Sequence, residues 1–224
     1  MDNKILFAWD FHGTLEKGNI NAVRELCGMV LSDCGIKREV RMDDVSKWYG
    51  LSWLDYFKLL APEGNPQLWE SMVAKVLNYQ DMGWNIVKKH IKAQDFAKDV
   101  LGEIKNRGHE NILVTNSGQS YAKKFVELVG LSGYMDEVIG VDTHYNSRAD
   151  KDIHNIKADA LRNYLQDKKY NKVVMVGDKE SDISAGNDCG ATTYLFLTPE
   201  AGKKTESTKA DHIISDLRKV LEEL

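Results

Sequence analysis

ILFAWDFHGTL, residues 5–15, is an apolar run that stops at a carboxylate and turns. Ile5 to Trp9 read as a short buried strand, Asp10 stands at its end, and Gly13 permits a tight backbone turn that a bulkier residue would resist. A second stretch, KVVMVGDKESD at residues 172–182, repeats the layout. Lys172 to Val176 form another buried strand, Gly177 turns the chain, and Asp178 and Asp182 stand four apart, one helical turn, so that both can face one point. Open α/β sheets build their sites at such strand ends. The two stretches together predict three carboxylates converging on a single phosphate and a divalent metal.

Working outward, the strand–helix alternation begins, stops and resumes. From residue 16 to about Ile91 no convincing strand occurs, while Ile20, Val23, Leu26, Cys27, Val30 and Leu31 fall on one helical face. Ser52 reads as the cap of a helix over Trp53–Leu60, and Asn65-Pro66 opens a further helix through Leu77. Phe96, Val100 and Ile104 then recur every fourth position, Gly108 ends that helix, and strands resume at Ile112 to Val114. The rhythm predicts an α/β fold: a Rossmann-like parallel sheet with helices on both faces, formed by residues 1–15 and 93–224, interrupted by an inserted α-helical segment, residues 16–92.

Composition narrows the function classes. With 30 Lys and Arg against 34 Asp and Glu, the net charge of −4 is mild, and the lysine pairs are scattered beside acids, as on solvated helix faces, so nucleic acid is not an expected partner. No run approaches the roughly 18 apolar residues of a membrane helix, so no membrane partner is expected either. The three cysteines show no paired metal-ligand spacing and no signal peptide precedes Ile5, which suits a cytoplasmic location. His90, His109, His144, His154 and His212 form no metal-ligand pattern. Oligomeric state is not legible.

The motifs resemble, in order and spacing, those of the haloacid dehalogenase (HAD) superfamily of aspartate-nucleophile hydrolases. WDFHGTL matches its first motif, NILVTNS at residues 111–117 its second, and MVGDKESD its fourth, with further family-like phrases at residues 130–142, 181–196 and 210–224. A helical cap placed after the first motif resembles the phosphoglycolate phosphatase-like and β-phosphoglucomutase-like group. The resemblance implies a phosphatase acting on a small phosphorylated metabolite through an aspartyl-phosphate on Asp10, with Mg2+ held by Asp10, the His12 carbonyl, Asp178 and Asp182. Thr115 would donate to a phosphate oxygen, Asn116 would help bind the substrate, and Trp48 and Tyr49 are the cap residues chosen as its readers, although packing in the cap core is the plainer role for most cap aromatics. The lysine of the third motif is either Lys157, heading KADALRNYL, or Lys151, nearer the preceding strand.

One position departs from the pattern. Where phosphatases of this superfamily carry a second Asp as general acid and base, this chain has His12. An imidazole with an unperturbed pKa of about 6.5 can perform both proton transfers, or it can merely hydrogen-bond backbone. Phosphonatases and dehalogenases also vary this position, so either chemistry is an alternative, as is a phosphate-binding protein without turnover. A dehalogenase has no metal to bind, which the Asp178–Asp182 pair opposes, and a phosphonatase needs a cap lysine, for which Lys47 or Lys58 would have to serve.

Overall fold

The computed structural model describes residues 4–82, 84–142, 150–198 and 208–224. In chain order the elements are β1 (Ile5–Trp9), β2 (Glu16–Lys17), α1 (Asn19–Asp33), α2 (Met42–Trp48), α3 (Trp53–Leu60), α4 (Pro66–Met82), α5 (Trp84–His90), β3 (Lys92–Ala93), α6 (Ala97–Asn106), β4 (Glu110–Thr115), α7 (Gln119–Leu128), β5 (Glu137–Gly140), α8 (Asp150–Leu165), β6 (Lys172–Gly177), α9 (Glu180–Asn187), β7 (Thr192–Phe196) and β8 (His212–Ile214). They divide into two compact units. One comprises the described residues up to Lys17 and those from Ala93 onward, the other runs from Gly18 to Lys92.

The first unit is built on a six-stranded sheet in the order β5-β4-β1-β6-β7-β8, every neighbouring pair parallel. Because side chains alternate along a strand, β1 presents a different layer to each face. Leu6 and Ala8 cluster with Ile112, Val114 and Met175 and with Leu161 of α8. On the opposite face the indole N–H of Trp9 donates to Asn111 Oδ1 at 3.0 Å, and the Asn111 amide donates to the Leu101 carbonyl of α6 at 3.0 Å. Helices therefore cover both faces, which is why β1 can be a continuous apolar run, buried at all five positions. The α/β fold with a parallel sheet is as expected from the alternation.

The helical unit has its own core. Ile20, Val23, Leu26, Cys27, Val30 and Leu31 of α1 are all buried, against Val45, Tyr56, Phe57, Met72 and Val76 among others. Trp53–Leu60 begins at Ser52, whose hydroxyl accepts from the Asp55 N–H at 3.2 Å, and α4 begins at Pro66 with Asn65 Oδ1 accepting from the Leu68 N–H at 2.9 Å.

Three local expectations are corrected. The α4 helix runs on to Met82 rather than stopping near Leu77, since no Gly or Pro intervenes. Phe96 does not share the buried face of Val100 and Ile104. It precedes α6 in the left-handed conformation (φ 63°), and its 42 % exposed ring lies under the Arg218 guanidinium, 3.7 Å from the ring centroid. Residues Glu16 and Lys17, assigned above to the helical segment, form the two-residue strand β2, which pairs with β3. None of the helices among the described residues is long and apolar enough to cross a membrane.

Candidate active site

Asp10 follows β1, Thr115 ends β4, and Asp178 follows Gly177 at the end of β6, so the three adjacent strands deliver their polar residues to one edge of the sheet. The Asp10 N–H donates to the Val176 carbonyl at 2.8 Å, continuing the β1–β6 ladder one residue past the strand and fixing the two ends against each other. Gly13, at φ 86°, lets the turn after Asp10 pass under the Asp178 carboxylate: a Cβ there would lie 2.5 Å from Asp178 Oδ2. Gly177 has the same purpose for Asp182, whose side chain occupies the space a Cβ would take.

Carboxylate oxygens of Asp10, Asp178 and Asp182 lie within 4.8 Å of one another. Lys157, from α8 and almost fully buried, places its Nζ 2.6 Å from both Asp10 Oδ1 and Asp182 Oδ1. Burial by itself would lower the Lys157 pKa, but the two carboxylates outweigh it and hold the ammonium charged, above the ordinary lysine value. Asp182 lies in the first turn of α9, and its second oxygen accepts from the Lys179 N–H at 3.2 Å, so it also caps that helix. Asp178 differs. Its Oδ1 is buried and has no hydrogen-bond partner among the described residues, and desolvation raises its carboxyl pKa to about 7.

Three acids stand against one buried ammonium, and one Asp178 oxygen makes no hydrogen bond among the described residues. Hard oxygen donors so arranged fit a divalent cation, with Asp10 and Asp178 the best-placed donors and Asp182 already engaged by Lys157 and Lys179.

The remaining expected residues fall as follows. Thr115 is buried, and its hydroxyl oxygen accepts from the Ser117 N–H at 3.4 Å, with Asn116 half-buried between them. His12 Nδ1 lies 2.8 Å from Glu16 Oε2. The Thr14 hydroxyl approaches Asp10 Oδ2 at 3.5 Å. Trp48 and Tyr49 are half-buried in the helical unit, the first edge-on to Tyr56 with 6.3 Å between ring centroids, the second accepting at its hydroxyl from the Asn19 amide at 3.1 Å. Lys151 belongs to α8, but its side chain lies outside the described residues. Nothing in the sequence singles out Glu16, because a spacing of four signals a contact only within a helix, and His12 and Glu16 meet across a turn.

Fold and site together define an α/β protein with a buried acid–lysine cluster at the strand ends of a parallel sheet. The chain belongs to the haloacid dehalogenase-like hydrolase family, whose profile matches residues 7–196. Among sequence relatives, a Caldanaerobacter subterraneus protein provisionally named a pyrophosphatase is 24 % identical over 219 residues, covering 95 % of this chain and 91 % of the relative. The phosphoglycolate phosphatase of Aquifex aeolicus is 29 % identical over 98 residues, 43 % of each chain. Among solved structures, a Clostridium difficile protein provisionally named a phosphatase superposes with a TM-score of 0.79 over 100 % of both chains at 18 % identity, a likeness of fold.

Proposed function

We propose that this protein is a Mg2+-dependent phosphatase that hydrolyses a small phosphorylated metabolite through an aspartyl-phosphate on Asp10. The observation that carries the reading is Lys157 bridging Asp10 and Asp182 at 2.6 Å beside the unpartnered oxygen of Asp178. Pyrophosphatase and phosphoglycolate phosphatase names among the relatives support a phosphorylated small molecule as the substrate class.

Asp10 attacks phosphorus in line, and the ester oxygen leaves as it takes a proton from His12 Nε2. Water then gives a proton back to Nε2 and attacks the acyl-phosphate, freeing inorganic phosphate and restoring Asp10. Lys157, fixed on Asp10 Oδ1, holds the carboxylate in one rotamer. The Thr115 hydroxyl and the backbone N–H groups near Phe11, His12 and Asn116 are proposed as donors to the phosphoryl oxygens, the moment when charge there is greatest. A cation held by Asp10, Asp178, the His12 carbonyl and, directly or through water, Asp182 would offset the charge of the carboxylates and of the phosphate. The helical unit from Gly18 to Lys92 is proposed to choose the substrate, with Trp48 and Tyr49 as candidate readers. This assignment rests on its place in the sequence between the first two motifs. A cytoplasmic location is proposed on the cysteine pattern.

The test is phosphate release from a panel of phosphorylated metabolites with and without Mg2+. Chelation should stop turnover and Mg2+ restore it, while Asp10→Asn should remain folded by circular dichroism and release no phosphate. Asp10→Asn turnover near that of wild type would refute the nucleophile assignment, and full activity in excess chelator would refute the metal.

A further inference from the structure

The turn after Asp10 contains a second buried carboxylate, one outside the metal cluster. Glu16 is fully buried, and its Oε2 lies 2.8 Å from His12 Nδ1. The backbone sets this distance before the side chains contribute. His12 and Glu16 form an isolated β-bridge, the Gly13 N–H donates to the Glu16 carbonyl at 3.1 Å, and the Glu16 N–H donates to the Phe11 carbonyl at 3.0 Å. The imidazole is also walled by aromatic rings, Phe11 at 5.0 Å and 73° and Phe125 of α7 at 4.8 Å and 81°, both edge-on.

With Glu16 ionised, its carboxylate can only accept, and the partner Nδ1 then carries the hydrogen. In the neutral ring that leaves the lone pair on Nε2, the nitrogen without a hydrogen-bond partner among the described residues. The same hydrogen bond holds when the ring is charged, so the imidazole can gain and lose a proton at Nε2 without turning over.

We infer that Glu16 is a positioning residue for His12: it fixes the Nδ1–H tautomer and the ring plane, so that Nε2 alone exchanges protons with the leaving group and with water. This rests on the acid–base reading of His12 and adds to it the residue that makes a histidine workable at that position. A buried carboxylate orienting the imidazole through Nδ1–H is the arrangement that serine hydrolases use for their own histidine, where an amide in place of the carboxylate allows the wrong tautomer.

The experiment compares alkyl phosphates, which need a proton on the leaving oxygen, with an activated aryl phosphate, which needs little. His12→Ala should slow the alkyl esters by roughly 100-fold or more and the aryl ester much less. Glu16→Gln, which preserves volume but can donate to Nδ1 and so favour the wrong tautomer, should slow the alkyl esters by at least about 10-fold, with the aryl ester again less affected and KM little changed. In a His12→Asp background there is no imidazole to orient, and the Glu16→Gln loss should vanish. Nitrogen NMR of 15N-histidine-labelled wild type should find the hydrogen of the neutral His12 ring on Nδ1. If His12→Ala spares both esters, the acid–base reading itself fails. If His12→Ala has its effect but Glu16→Gln has none, or costs the His12→Asp variant equally, or the wild-type ring carries its hydrogen on Nε2, the positioning role alone is overturned.

Discussion

Lys157 offsets one of three negative charges gathered within 4.8 Å, and almost no water reaches it. A buried ion pair adds little to stability when intact, yet losing one partner costs several kcal/mol, because the other charge stays desolvated. Lys157→Met retains much of the volume and strands two carboxylates, so it should destabilise the chelated protein by about 3 kcal/mol, toward the low end because an acid can take up a proton. Urea denaturation of both proteins in chelator measures this, and a difference under about 1 kcal/mol would mean that the lysine carries no such burden. From the sequence alone Lys157 and Lys151 stood as rivals, for a plain reason. Both belong to one helix, and which Nζ meets a carboxylate depends on how α8 lies on the β1–β4 face, a tertiary fact with no local signature. Asp10, Asp178 and Asp182 were legible because strand-end carboxylates in parallel neighbours need no side-chain packing to be brought together.

Elements with a chemical start signal are legible in the sequence. Ser52 and Asn65 each accept from the N–H three residues on, as their residue types suggested. Asn65→Ala should therefore lower the stability of the protein by about 1 kcal/mol in thermal or urea melts without changing phosphate release, whereas Asn65→Gly should cost only a few tenths. Elements whose limits depend on periodicity alone are less legible. A four-residue repeat cannot tell the residue that caps a helix from one inside its first turn, so it groups Phe96 with Val100 and Ile104, whereas the left-handed backbone of Phe96 points the ring elsewhere. The strand β2 is too short for any pattern, and Glu16 within it looks in the sequence like an ordinary surface acid. Its burial follows from the hydrogen bonds of the turn that precedes it, which only the folded chain displays.

At the scale of the molecule, the site's charge is linked to folding. Desolvation raises the Asp178 carboxyl to about 7, so between its ordinary value of 3.8 and about 7 the native state keeps a proton that the unfolded chain has released. Stability from this group is thus full at low pH and is lost as pH rises toward 7. A bound cation replaces the proton, so added Mg2+ should raise the melting temperature more at pH 8 than at pH 6, and Asp178→Asn should flatten both the pH trend and the Mg2+ response. A Mg2+ effect independent of pH would contradict the linkage. The strand order carries a consequence of another kind, for synthesis. The β1 strand sits mid-sheet, with Leu6 paired to Glu110 on one side and to Val173 on the other, so a strand made before both its neighbours is enclosed only after them. At roughly 5–20 residues per second, the apolar segment ILFAW is synthesised on the order of five to twenty seconds before its first neighbour, β4. Meanwhile the helical unit, whose buried cluster draws only on residues between Ile20 and Ile86, has everything it needs to collapse. Until β4 is made, therefore, the ILFAW segment has no strand to pair with, while every residue of the helical core is already present.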